Sequence, residues 1–251
     1  MVEGSDSLIP IGTRVAFRHP GAWADLVAVP ASRCFPVPEG IPVEIAAQFA
    51  LNPLTAWALV DEASVHAEDW VGMTAARSAI ARIAAAIAQH RGVRVLGLAR
   101  PLAGEPLPYP VVDLLEGTTI DAIHARTDGA QLGGVLDSVG GAVLAAALPA
   151  LRVGATIVSY GVLDNAPIPV RNSDLIYRNL TWKGFGIDHW LAANAIRREA
   201  IAAELWALLS DHTIELPVAA VYDLDAIEPA VRAAALTPPG SKVIVRISTR
   251  P

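Results

Sequence analysis

Apolar positions along this chain recur with two periods, and the alternation between them sets the fold. From Ser78 to His90 the apolar side chains Ile80, Ile83, Ala84 and Ile87 fall three to four residues apart, which predicts an amphipathic helix that Gly92 brings to an end. The next segment, Val93 to Leu98, is apolar but for Arg94 near its start, the form expected of a strand covered on both faces. Before them, Pro53 to Ala63 reads as a helix with proline in its first turn, and Trp70 to Met73 as a short strand. Val135-Leu136 and Thr156 to Ser159 read as further buried strands, with a helix over Ala142 to Leu151 between them. Strand and helix in alternation predict a parallel sheet joined by right-handed crossovers. Long helices are expected over Ala192 to Leu209 and Leu224 to Ala235, and a closing strand over Lys242 to Ile247.

The front of the chain follows another pattern. Arg14 to Phe17 and Trp23 to Val29 are short extended stretches separated by the turn composition His19-Pro20-Gly21, which predicts a small antiparallel β region. Pro36, Pro38 and Pro42 then punctuate the chain before a short helix over Val43 to Phe49, and a boundary is expected near there. No internal repeat is evident.

Composition narrows the class of protein. In 251 residues, 53% are apolar and 18% charged, enough for a substantial core. The net charge of -6 is scattered along the chain, so no basic stripe awaits a nucleic acid or an anionic membrane. Cys34 is the only cysteine and the six histidines show no i, i+4 pair, so neither a disulfide nor a protein-held metal is expected. A mean hydropathy of +0.42 raises the question of membrane spans, yet Arg77, Arg82, Pro149 and Arg152 interrupt the alanine-rich runs too soon. The opening MVEGSDSLIP is acidic and polar, unlike a secretory signal, and a cytoplasmic protein is expected.

The candidate chemistry lies where the Trp70 strand turns into the Ser78 helix. A diphosphate binds at such a bend because the first helical turn presents free N–H groups and the positive end of the helix dipole. Here the bend is Thr74-Ala75-Ala76-Arg77-Ser78-Ala79-Ile80-Ala81, built mainly of small residues. Arg77 either points outward to pair with a phosphate or fills the groove itself. Arg100, just past the second strand, stands where an acid would accept the ribose hydroxyls of NAD and where arginine instead grips a 2′-phosphate; its other reading is a solvated arginine at a strand end.

The segments GAWADLVAVPASRCFPVP, NPLTAWALV, EDWVGMTAARSAIAR, GVRVLGLAR, GVLDSVGG, GATIVSYG, DLIYRNLTWKGFGIDHW and GSKVIVRI, in that order, resemble the medium-chain dehydrogenase/reductase superfamily. They are most similar to its zinc-independent branch of quinone oxidoreductases and mitochondrial-type 2-enoyl thioester reductases. The resemblance implies an α/β fold with a Rossmann-type parallel sheet over residues 51–235. A truncated GroES-like β region would be formed by residues 1–50 with 236–251. It implies NADPH as cofactor, held by Thr74, Ala75, Arg77, Ser78, Ala79, Ile80 and Arg100, with Val139, Tyr160 and Gly161 beside the nicotinamide ribose and Phe185, Gly186 and Trp190 around the ring. The substrate implied is an enone, quinone or enoyl thioester, and the assembly a homodimer joined at the sheet edge near Leu180 to Gly186.

Departures from the family pattern are equally plain. Thr74 and Arg77 stand in place of two asparagines and Ala81 in place of a glycine. The segment PLAGEPLPYP, with four prolines in ten residues, cannot form the usual crossover helix, so the adenosine pocket is expected to lose part of a wall. The chain enters near the end of the amino-terminal β section, so the tyrosine that delivers a proton in the enoyl-reductase branch has no counterpart. Tyr109 and Tyr177 lie in the wrong segments, and His19 reads as a turn residue. These departures leave three readings: an active NADPH-dependent reductase protonating from water or an unrecognised side chain, a scaffold that has lost turnover, or a fragment of a longer chain.

Overall fold

The apolar runs that lack alternation lie where neither face of the sheet meets water. The computed structural model describes residues 9–99, 106–113 and 120–247. In chain order the elements are β1 (Val15–Phe17), β2 (Cys34–Pro36), α1 (Val43–Phe49), α2 (Asn52–Glu62), β3 (Trp70–Thr74), α3 (Ala79–His90), β4 (Arg94–Ala99) and β5 (Val111–Asp113). There follow α4 (Ile120–Arg126), β6 (Leu132–Asp137), α5 (Gly141–Ala147), β7 (Leu151–Ser159), α6 (Asn172–Tyr177) and β8 (Thr181–Gly184). The last are α7 (Ile187–Ala193), α8 (Arg198–Ser210), β9 (Val218–Asp223), α9 (Ile227–Leu236) and β10 (Lys242–Arg246).

Residues 55–197 form one compact unit and residues 1–54 with 198–251 the other. The larger unit carries a six-stranded sheet in the order β5-β4-β3-β6-β7-β8, with every neighbouring pair parallel. Strand order reverses between β3 and β6, and ligands collect outside the carboxyl ends of strands at such a reversal. Every residue of β3 and β6 is buried, as their unbroken apolar runs require. Leu96, Leu98, Ile123, Leu132, Val135, Leu144 and Ile157 join in the core beside them, and burying each of the larger side chains is worth about 1.5–3 kcal/mol. α3 turns its alanine and isoleucine face onto this sheet, and Ser78 caps it by accepting a hydrogen bond from the Ala81 N–H at 3.2 Å.

In the smaller unit β1 pairs with β2 antiparallel and β9 with β10 parallel. Two-stranded sheets are marginal on their own, so side chains hold them. Phe49 stacks on Trp206 at 3.5 Å between ring centroids and meets Phe35 edge-on at 5.5 Å, which joins α1, β2 and α8.

Three expectations change. Trp23 to Val29 is not a strand; the partner of β1 is Cys34–Pro36, whose register Val15↔Pro36 lets proline occupy the strand end. The long helix expected over Ala192 to Leu209 is two helices, because Asn194 ends α7 by bonding back to the Trp190 carbonyl at 3.0 Å before a single 3-10 turn leads into α8. Residues 198–235, expected with the Rossmann-type part, group with the smaller unit because Trp206 packs on Phe49 and β9 pairs with β10. No single helix among the described residues is long and apolar enough to cross a membrane.

Candidate nucleotide groove

Three strand ends meet at the reversal point: the Thr74 to Ser78 bend after β3, the Asp137 to Gly141 loop after β6, and Ser159 to Gly161 after β7. The bend begins with Ala75 in the left-handed region at φ +46°, a conformation costly for alanine. It closes through the Ser78 N–H donating to the Ala75 carbonyl at 2.8 Å. Ser78 then starts the helix, so the N–H groups of Ala79 and Ile80 face outward and, among the described residues, donate to no protein acceptor. No acidic side chain occupies the first turn of α3.

Thr74 does not face the groove as a ligand would. It is wholly buried; its Oγ1 donates to Oδ1 of Asp137 at 2.8 Å and accepts from the Ser138 N–H at 2.9 Å. Asp137, 1% exposed, also accepts from the N–H groups of Val139 and Gly140, each at 3.1 Å. A buried carboxylate is tolerated only with such a set of donors.

Tyr109 reaches the bend from the other side. Its hydroxyl donates to the Ala76 carbonyl at 2.9 Å. Its ring lies where Gly97 leaves room: a Cβ there would sit 2.9 Å from Ala76 and 3.2 Å from the tyrosine ring, so β4 needs glycine at this point. Burial pushes the Tyr109 phenol up to about 12, against the pull of the Arg82 and Arg77 charges. Arg77, half-buried, therefore stands on the Tyr109 side of the bend. Arg100 lies outside the described residues.

On the far wall, the Tyr160 N–H donates to the Asp137 carbonyl at 2.8 Å. Burial raises the Tyr160 phenol as well, while the hydroxyls of Ser138 and Ser78 hold it down in part. A Cβ on Gly161 would meet the Ser138 carbonyl at 2.7 Å, so only glycine allows β7 to leave the sheet so close to β6. Val139 is half-buried at the groove wall.

Of the ring-side residues, Phe185 is half-buried and its N–H donates to Ser159 at 2.8 Å, while Gly186 is exposed. Trp190 is committed elsewhere. It is 6% exposed, its Nε1–H donates to Glu62 at 3.0 Å, and its ring lies 5.8 Å from that of Trp57. Glu62 also takes the Lys183 ammonium, which ties α2 to β8. The structure therefore places Ala75, Arg77, Ser78, Ala79, Ile80, Val139, Tyr160 and Gly161 at or just beyond the carboxyl ends of β3, β6 and β7, and gives Thr74 and Trp190 packing partners of their own. Sequence reasoning misses Asp137, Tyr109 and Glu62 as functional residues. An acid ending a wholly apolar strand, as in GGVLDS, is the one signal that marks such a buried acceptor.

Among the described residues no three histidine, cysteine, aspartate or glutamate side chains gather as a metal site, and the single thiol, Cys34, is buried. That donor set does not fit zinc, and no chemical step here runs through one. The groove does fit a dinucleotide diphosphate, since a twelve-residue helix directs two uncommitted N–H groups into a bend of small side chains at the sheet's reversal.

A family model described as zinc-binding dehydrogenase matches residues 111–244. The mitochondrial enoyl-[acyl-carrier-protein] reductase of Arabidopsis thaliana is 25% identical over 70% of this chain and 50% of its own length. A crystal structure of the quinone oxidoreductase of Thermus thermophilus, solved also with NADPH, is 29% identical over 90% of this chain and 74% of its own, at a TM-score of 0.70. A protein of Bacillus thuringiensis assigned as an NADPH:quinone reductase covers 100% of this chain and 78% of its own at a TM-score of 0.83 and 23% identity, a likeness of fold. The chain spans between 50% and 66% of the length of the first curated relatives it matches.

Proposed function

Because this chain belongs to the zinc-binding dehydrogenase family, within the medium-chain dehydrogenase/reductase superfamily, we propose that it binds NADPH in the groove at the β3/β6 reversal and reduces an activated C=C bond or a quinone. The observation that carries this reading is the pair of outward N–H groups on Ala79 and Ile80 above a bend of small residues. NADPH held there would supply the hydride for the β carbon of an enone or enoyl thioester, or for a quinone, whose carbonyl oxygen would take up the displaced electron pair.

The chain's own part is positional. Ala79 and Ile80 hold the diphosphate, the Arg77 and Arg82 charges favour an anion on the Tyr109 side, and Tyr160 with Gly161 shapes the wall on which the nicotinamide ribose rests. A proton from water then completes the reduced product at the α carbon or quinone oxygen. The likeness to an enoyl reductase and to a quinone oxidoreductase solved with NADPH supports turnover over a scaffold role. The reading includes a homodimer through the open edge strand β8, whose backbone otherwise faces outward at the end of the sheet.

Purified protein should show a larger rise in Tm with millimolar NADPH than with NADH. It should also consume NADPH when a simple quinone or an enoyl thioester is added. No thermal shift with either nucleotide would end this reading, and a sedimentation mass of one chain would end the dimer.

A further inference from the structure

Thr74 carries out a task that its place in the bend does not announce. One hydroxyl joins two strand ends: it belongs to β3, donates to Asp137 at the end of β6, and fixes the N–H of Ser138 just beyond it at 2.9 Å. From those two residues the far wall of the groove is hung. The Asp137 carbonyl takes the Tyr160 N–H at 2.8 Å, and the Ser138 carbonyl takes the Leu163 N–H at 3.2 Å. The Val139 carbonyl takes the Asp164 N–H at 2.7 Å, and Gly161 is pressed against Ser138. Each of these bonds is backbone to backbone, so the orientation of the Asp137-Ser138-Val139 peptides decides where Tyr160 and Gly161 lie.

A hydroxyl suits this position because it donates and accepts at once. An apolar isostere would leave the Ser138 N–H without its acceptor in the interior and take from Asp137 the one side-chain donor it has there, and the loop would re-orient to find water. The bend itself would be less affected. Its geometry is kept by the Ser78 to Ala75 hydrogen bond, the Ser78 cap and the Tyr109 contact on Ala76, none of which uses the threonine side chain.

We propose that Thr74 is a positioning residue, which through Asp137 and Ser138 sets the nicotinamide-side wall of the groove against the diphosphate bend without touching the nucleotide. The proposal rests on the NADPH reading above and deepens it, because it divides the groove into an adenosine half that stands alone and a nicotinamide half that depends on one buried hydroxyl.

The two halves can be titrated separately. Thr74→Val should weaken NADPH at least 10-fold while the affinity for 2′,5′-ADP, which carries only the adenosine half, stays within 2-fold of wild type. Thr74→Ser, which keeps the hydroxyl, should restore NADPH binding. Gly161→Ala presses on Ser138 from the outer end of the same coupling while leaving the Thr74 hydroxyl in place, and should give the same split even where Thr74→Val folds poorly. Equal losses for both ligands would make Thr74 merely structural and overturn the proposal, as would unchanged NADPH binding in both Thr74→Val and Gly161→Ala. Wild-type protein that binds neither ligand would remove the NADPH reading and this inference with it, whereas wild-type binding with no split removes only the inference.

Discussion

The two units of this chain solve the same problem in different ways. In residues 55–197 the inner strands of a six-stranded parallel sheet, β3 and β6 above all, bury both faces, and the costly places are the strand ends, where polar backbone must turn without water; there Asp137 and Thr74 supply the missing partners. In residues 1–54 with 198–251 the strands come only in pairs, and what holds them is aromatic: Phe35, Phe49 and Trp206 pack in series, and Arg198 lies 4.0 Å over the Phe35 ring while donating to the Cys34 carbonyl at 2.5 Å. The large sheet tolerates the Asp137 carboxylate because a hydroxyl and two backbone N–H groups donate to it. The small β region relies on ring contacts instead.

That contrast puts the largest loss at the polar clasp. Asp137→Ala strands the Thr74 hydroxyl and the N–H groups of Val139 and Gly140, and should lower unfolding free energy by about 3 kcal/mol or more in urea titration. A smaller change would mean that water replaces the carboxylate easily and that the larger unit does not depend on it. Next in size is Phe49→Leu, which removes the stack on Trp206 and the edge contact with Phe35; about 1–2 kcal/mol should be lost, read in a tryptophan-fluorescence transition. An effect as large as that of Asp137→Ala would erase the distinction between the units.

The smallest is Tyr109→Phe, which removes one hydrogen bond to Ala76 and about 1 kcal/mol at neutral pH. Its alkaline behaviour is more telling. The phenol is raised from 10.0 to about 12 in the folded chain, so the unfolded state releases its proton first. The stability associated with the neutral phenol is therefore whole below pH 10 and is lost as pH rises from there through about 12. Tyr109→Phe should flatten that part of the stability curve in thermal melts taken across it.

The central sheet is legible in the sequence because burial on both faces leaves no alternation, and runs such as Val93 to Leu98 have no other simple use. α3 is legible to its cap, since serine before an apolar stripe is itself the start signal. The smaller unit is harder. Trp23 to Val29 is apolar as a strand would be, yet lacks a partner among the described residues, while the true partner of β1 is three residues ending in proline. The strand β9 does alternate between half-buried and exposed positions, but no turn signal sets it apart from the loop before it. In the groove, the diphosphate bend can be read from local order alone. Its support cannot, because Thr74 and Asp137 are 63 residues apart and only the pairing of β3 with β6 brings them together. Chain order puts Tyr109 in the wrong segment, and it reaches the bend only because Gly97 admits its ring.

One feature of the smaller unit is also a tool. Cys34 is the chain's single cysteine, it is buried, and burial raises its thiol above the ordinary value despite the Arg198 charge nearby. A maleimide or a disulfide reagent will therefore find it only during moments of opening. The rate of labelling becomes a clock for breathing of the aromatic region alone, so that motions there can be timed, with or without nucleotide, while the parallel sheet stays silent.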